Sequence, residues 1–189
     1  MKNKSIGFAV TGSFCTFGTV IPVITELAKE NNVIPILSYS ASKTDTRFYK
    51  SKDFIRDLKD ITKNNPITNI VGAEPIGPKK LFDAVVIAPA TGNTLAKLAA
   101  SITDTPVLMA AKAHLRNNRP LLIAVSSNDA LSGNAKNIGA LMSVRNIFFV
   151  PMSQDDPVNK DRSLIADFSL LIPALEKALE LKQIQPIYK

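Results

Sequence analysis

Four short runs of hydroxyl and amide side chains hold most of the chemistry in this chain. Each follows an apolar run. Thr11-Gly12-Ser13-Phe14-Cys15-Thr16 comes after IGFAV, and Ser38, Ser40, Ser42, Thr44 and Thr46 come after VIPIL. Thr91-Gly92-Asn93-Thr94 comes after AVVIAPA, and Ser126-Ser127-Asn128-Asp129 after PLLIAV. A Gly-Ser turn between a strand and a helix suits a phosphate. Gly12 lets backbone come close, Ser13 and Thr16 supply hydroxyls, and a helix start supplies unpaired amides. Asn128 has the groups to hold a ligand's carbonyl and amide edges, while Asp129 is suited to capping the following turn. Arg47 and Lys97 are candidate partners for a phosphate or carboxylate. A plain strand–helix turn is the alternative at each place, and the first Gly-Ser turn alone does not decide between the two. Several polar turns at one sheet edge weigh more than any one of them.

Other chemistries lack their residues. There is no G-x-G-x-x-G, no Walker loop, no G-x-S-x-G and no Cys/His cluster with metal-ligand spacing. The sole histidine, His114, shares a helical stretch with Lys112 and Arg116 and reads as a surface or helix-end residue, away from any ligand turn. The sole cysteine, Cys15, lies in the first turn, where a helix start would lower its pKa. A small buried thiol is the commoner situation. One cysteine permits no internal disulfide and fits a reducing, cytoplasmic setting.

The elements that must position these turns alternate. Strands are expected at Ser5–Val10, Val33–Ser38, Ala84–Ala88, Pro120–Val125 and Ile147–Val150, the third ended by Pro89 and the last by Pro151. Helices are expected at Val20–Lys29 with Pro22 in its first turn, Phe54–Ile61, Leu95–Ala99, Val107–Leu115 and Asn134–Val144. A final helix, Ile165–Lys182, is interrupted or kinked near Pro173. Ala90–Thr94 reads as a turn and Tyr39–Asp45 as a polar loop. Pro66–Ile70 reads as a short edge segment. Gly72–Pro78 reads as a loop because of its two prolines and two glycines. Continuously apolar strands alternating with helices predict an α/β fold: one parallel sheet with helices on both faces. In such folds ligands bind at the carboxyl edge of the sheet, where all the polar turns lie.

With 189 residues the chain is the size of a single domain, 1–189, and its net charge is +7. The cations are scattered and interleaved with acids, as in Lys52-Asp53 and Arg56-Asp57. That argues against nucleic acid and for a surface that attracts small anions. No apolar run has the length of a membrane span, and MKNKSIGFAV shows no cleavable signal pattern.

The run Ala88-Pro89-Ala90-Thr91-Gly92-Asn93-Thr94-Leu95-Ala96-Lys97, with Thr103-Asp104 after it, resembles the central motif of a known flavoprotein fold. That fold is shared by cysteine decarboxylases and flavin prenyltransferases. Gly12-Ser13 matches its first phosphate turn, and the likeness runs from Ile6 to Pro151. It implies a three-layer Rossmann-like (flavodoxin-like) subunit with FMN near a subunit interface, assembling into trimers or dodecamers. Carried over by position, the FMN site comprises Gly12, Ser13, Phe14, Thr16, Ser38, Ser40, Arg47, Pro89, Ala90, Thr91, Asn93, Thr94, Ser126, Ser127 and Asn128.

Two loops, SYSASKTDTRF and AEPIGPK, are not general in those decarboxylases. They mark a narrower likeness, to one component of a two-component synthase of spore-forming bacteria. That likeness implies oxidation of a dihydropyridine dicarboxylate from the lysine pathway. Flavin or NAD(P)+ would be the acceptor, with NAD(P) bound by a dehydrogenase-like partner. Arg47, Lys97 and Asn128 are then candidate contacts for a dianionic substrate. The chain departs from the decarboxylases in two places. Their catalytic histidine lies about fifteen residues before the motif proline, where this chain has Glu74-Pro75, and their Pro-x-Met-Asn is replaced by Ser126-Ser127-Asn128-Asp129.

Overall fold

The computed structural model describes all residues, Met1–Lys189. Five strands are parallel: β1 (Ser5–Val10), β2 (Asn32–Leu37), β3 (Ala84–Ala90), β4 (Leu121–Ser127) and β5 (Ile147–Phe149). Two short strands, β6 (Met152–Ser153) and β7 (Leu164–Ala166), add antiparallel, giving the order β2-β1-β3-β4-β7-β6. One edge of β4 is therefore divided. Leu121–Ile123 pairs with β5, and Ser126–Ser127 pairs with β7.

Alternate residues of each strand enter opposite cores, as the period of two requires. Ile6, Phe8, Val10, Ala84, Val86, Ala88, Leu122 and Ala124 pack under α1 (Phe17–Ala28), α3 (Ser51–Thr62) and α8 (Leu171–Leu179). Ala9, Val85, Ile87, Leu121, Ile123 and Val125 pack under α5 (Gly92–Ala99), α6 (Pro106–Leu115) and α7 (Ala135–Met142). Two small helices complete the fold, α2 (Tyr39–Lys43) and α4 (Ile70–Ala73). The sheet is thus covered on both faces, which explains why its central strands are apolar at nearly every position. No helix is long and apolar enough to cross a membrane.

Several expected boundaries move. Pro89 does not stop β3. The strand runs to Ala90 through a cis Ala88–Pro89 bond, with a register shift against β4 between Ile87 and Ala90. Ala90–Thr94 is not all turn, because Thr91 accepts a bond from the Thr94 amide and the helix begins at Gly92. Tyr39–Asp45 is loop only at its end. Tyr39–Lys43 forms α2, which Ser38 caps and which buries its own Ala41. Gly72–Pro78 likewise contains the end of α4 and a 3-10 turn at Glu74–Ile76, since Asn69 caps the first and Pro75 fits the second. Helix α1 starts at Phe17, so Pro22 sits inside it. Pro173 sits in the first turn of α8, so the expected interruption falls at the start of that helix. The stretch expected to begin that helix forms β7 and a 3-10 turn at Phe168–Leu170. Ile67 does bridge to Ile36 at the sheet edge.

Candidate functional site

The carboxyl ends of β1, β3 and β4 are tied together by polar side chains. Thr11, the residue after β1, donates its hydroxyl to the Pro89 carbonyl at 2.7 Å and accepts from the Thr91 amide at 3.0 Å. This pair of hydrogen bonds fixes the first turn against the start of α5. Ser13 Oγ lies 2.8 Å from Ser126 Oγ, joining the same turn to β4. Thr16 donates to the Ser13 carbonyl at 2.6 Å, closing the turn on itself. Gly12 sits where a Cβ would come within 3.2 Å of Ser40 Cβ, so a side chain there would press on α2.

The turn after β4 is organised by Asp129. Its carboxylate accepts from Ser127 Oγ at 2.5 Å and from Asn134 Nδ2 at 2.7 Å, and Asn134 Oδ1 in turn accepts from Asn137 at 2.7 Å. Helix α5 packs directly on this cluster. A Cβ at Gly92 would lie 2.5 Å from both Asn134 Nδ2 and Asp129 Oδ1, and 2.6 Å from Ser127 Oγ. Thr91 and Thr94 hydroxyls are 3.0 Å apart at the helix start. The first amides of a helix have no partner within it, so this start offers N–H groups as well as hydroxyls.

The structure thus brings Gly12, Ser13, Thr91, Thr94, Ser126 and Ser127 together, with Asn93 and Asn128 exposed on the two flanking turns. Phe14 packs 5.5 Å from Phe17 at the edge of this region. Ser40 is exposed beside Gly12, and Ser38 is spent on capping α2. Pro89 and Ala90 are buried strand residues that set the height of the third strand's exit. Arg47 lies beside Phe48, its guanidinium 4.8 Å from the ring centre. Lys97 is held elsewhere on α5, away from that helix's start. It lies in the last turn of α5 and is ion-paired with Asp104 at 2.5 Å.

Two other expectations are corrected. His114 is not a surface residue: it is 1% exposed, and its Nε2–H donates to the Pro120 carbonyl at 3.0 Å. Burial pushes its pKa down to about 4. Cys15 is exposed rather than buried. Glu74, at the position counted back from the motif proline, lines a groove with Lys112, Arg116 and Asn117 at the end of α6. That end leads into the amino end of β4, opposite the ligand turns. Thr11, Gly92, Asp129 and Asn134 were not distinguishable as the site's fasteners from sequence, because their partners lie far along the chain or depend on how α5 packs.

The donor set suits an anionic, polar-edged ligand. Hydroxyls, amides and free helix-start N–H groups converge, and the one carboxylate among them is held by inward-pointing donors. A Rossmann-like α/β protein with strand-end turns of this kind defines the class. The chain belongs to the Flavoprotein family, whose family model matches residues 1–168. It is 48% identical over 188 residues to the dipicolinate synthase B subunit of Bacillus subtilis (strain 168), covering 99% of this chain and 94% of that one. The crystal structure of the dipicolinate synthase B subunit from Bacillus halodurans C superposes with a TM-score of 0.91 at 42% identity, over 100% of this chain and 97% of that one. Burkholderia xenovorans DmrB, a cubic protein cage for redox transfer solved in complex with FMN, shares the fold at 20% identity. Its TM-score is 0.70, over 94% of this chain and 96% of that one.

Proposed function

We propose that this chain is the flavin-fold component of a dipicolinate synthase. It would oxidise a dihydrodipicolinate-type intermediate of the lysine pathway to dipicolinate during sporulation, in the mother cell. It would work with the synthase's other component, the A subunit, which carries NAD(P). The observation that carries the reading is the 48% identity across nearly the whole chain, joined to three polar turns fastened at one sheet edge. FMN is the cofactor these turns fit. Ser13, Thr91, Thr94 and the start of α5 supply donors for an anionic end, and Arg47 is a cation outside the ion pairs of its neighbourhood. A bound flavin supplies a reversible acceptor for a hydride equivalent.

The oxidation removes a hydride and a proton from the dihydropyridine ring. The hydride passes to the acceptor and the proton to solvent. Aromatisation makes the loss favourable, so the protein's task is to hold the ring against the acceptor and neutralise its two carboxylates. Arg47 suits that second task, and Asn128, exposed on its turn, would contact the ring. A stand-alone decarboxylase is the weaker reading. Glu74 stands where the decarboxylases have histidine, and it lies away from the turns. Asn93 and Asn128 are exposed in the single chain, and a homo-oligomer, trimer or dodecamer, would cover them with a neighbouring copy.

Reconstitution tests this reading. With the NAD(P)-carrying partner, NAD(P)+ and the dihydropyridine substrate, the chain should be required for aromatic product, followed by its ultraviolet absorbance. Arg47→Gln should raise KM with a smaller change in kcat. Full turnover by the partner alone would reduce this chain to a scaffold, and an unchanged KM would remove Arg47 from the substrate site.

A further inference from the structure

The last turns of α5, α6 and α7 converge toward the amino edge of the sheet, the edge opposite the strand-end turns. Between them lies a cavity of about 400 Å³, within the roughly 300–1,000 Å³ of small-molecule sites. Each helix gives it an apolar wall: Leu98 from α5, Leu115 from α6 and Leu141 from α7. Two more lining residues, Ile102 and Val144, are each 44% exposed on the loops that follow α5 and α7. Covering them together removes apolar area from water. The charged groups are few and of one sign. Lys112 and Arg116, one turn apart at the end of α6, both line the cavity, and no Asp or Glu does. Neither cation belongs to an ion pair, whereas Lys97 on the neighbouring helix is held by Asp104. Glu74, which lines the groove on the other flank of α6 with the same two cations, is paired with neither.

These features fix which end of a ligand goes where. Carbonyls at a helix C-terminus carry partial negative charge, so the space beneath three such ends disfavours an anion and suits an apolar body. An anionic head is confined to Lys112 and Arg116. Phosphate is best held by several converging backbone N–H groups, as at a helix start, and helix C-terminal ends offer none. A carboxylate needs less: a guanidinium and an ammonium satisfy its two oxygens. We propose that this cavity binds a small carboxylate with an aromatic or branched apolar body. The carboxylate sits on Lys112 and Arg116, and the body lies against Leu98, Leu115 and Leu141. This site stands apart from the flavin reading, since the strand-end turns lie at the other edge of the sheet.

The test titrates the full-length protein with 3-phenylpropanoate and with its uncharged amide, followed by calorimetry and by methyl NMR. The carboxylate should shift the methyl signals of Leu98, Leu115, Leu141 and Val144. It should bind roughly tenfold more tightly than the amide, the size of one charge-assisted hydrogen bond. Replacing both cations, Lys112→Gln with Arg116→Gln, should erase that preference while the amide binds as before. Ala140→Phe, at an exposed residue of the lining, should fill the mouth and abolish binding of both. Unfolding temperatures close to wild type show that the variants keep the fold; where one does not, the wild-type comparison of acid with amide decides alone. Equal affinity for the two probes overturns the proposal, as does a preference that survives loss of both cations, or binding that leaves those methyl signals unmoved. Sedimentation velocity tests a second copy of the chain as the occupant. Self-association of the wild type that Ala140→Phe abolishes would assign the cavity to that contact and overturn the proposal too.

Discussion

His114 shows how burial, rather than residue type, decides a role. Its imidazole is enclosed near the end of α6, and its low pKa of about 4 comes first from lost solvation, partly offset by the Pro120 carbonyl. The folded chain therefore prefers the neutral ring, whereas an unfolded chain titrates near the ordinary value of 6.5. Between those values the unfolded chain binds more protons, so stability rises with pH across the window. It is complete above about pH 6.5 and declines as pH falls toward 4, by on the order of 3 kcal/mol in all. Thermal unfolding followed from pH 7 to 4 should show this slope, and His114→Gln should flatten it. An equal slope in the variant would mean other groups govern it. At this scale the sequence was least legible. His114 reads as a surface or helix-end residue beside Lys112 and Arg116; it lies in the last turn of α6 but is buried, and Cys15, for which a buried thiol is the commoner situation, is exposed.

The elements were more legible, because period and capping chemistry are local. The apolar runs at Ile6–Val10, Ala84–Ala88 and Leu121–Val125 are strands as expected. What local reading missed is how far α5 reaches toward the site. Thr91 is a helix cap, and Gly92 is the first helical residue, pressed onto Ser127, Asp129 and Asn134. Thr91→Ala should cost about 1 kcal/mol of stability through the lost cap. Gly92→Ala should cost more, since its Cβ has no room and the polar partners must part, and it should weaken flavin binding more than Thr91→Ala does. Denaturant unfolding with a flavin titration on both variants checks the order. A Gly92→Ala protein as stable as wild type would show that the close approach does not constrain the site.

At the scale of the whole molecule, alternation of strand and helix was enough to give the parallel sheet and its two covered faces, but not its far edge. β6 and β7 are two and three residues long, too short for a periodic signal, and part of β7 reads as the start of a helix instead. The pairing of β7 with Ser126–Ser127 braces the end of β4 from which the turn Ser126–Asp129 leaves. The convergence of the turns was legible as topology: a parallel sheet delivers every strand-end turn to one edge. The fasteners that make it a site, Thr11 to Pro89 and Thr91, Ser13 to Ser126, and Asp129 to Ser127 and Asn134, needed three dimensions.

A flavin held at this fastened edge would be visible in the absorbance spectrum of the purified protein, taken as isolated and again after incubation with FMN and desalting. A flavin band that survives desalting, and is lost in Gly92→Ala, is the expected result. A colourless protein that retains no FMN at any loading would contradict it and move the redox chemistry to the nicotinamide nucleotide carried by the partner.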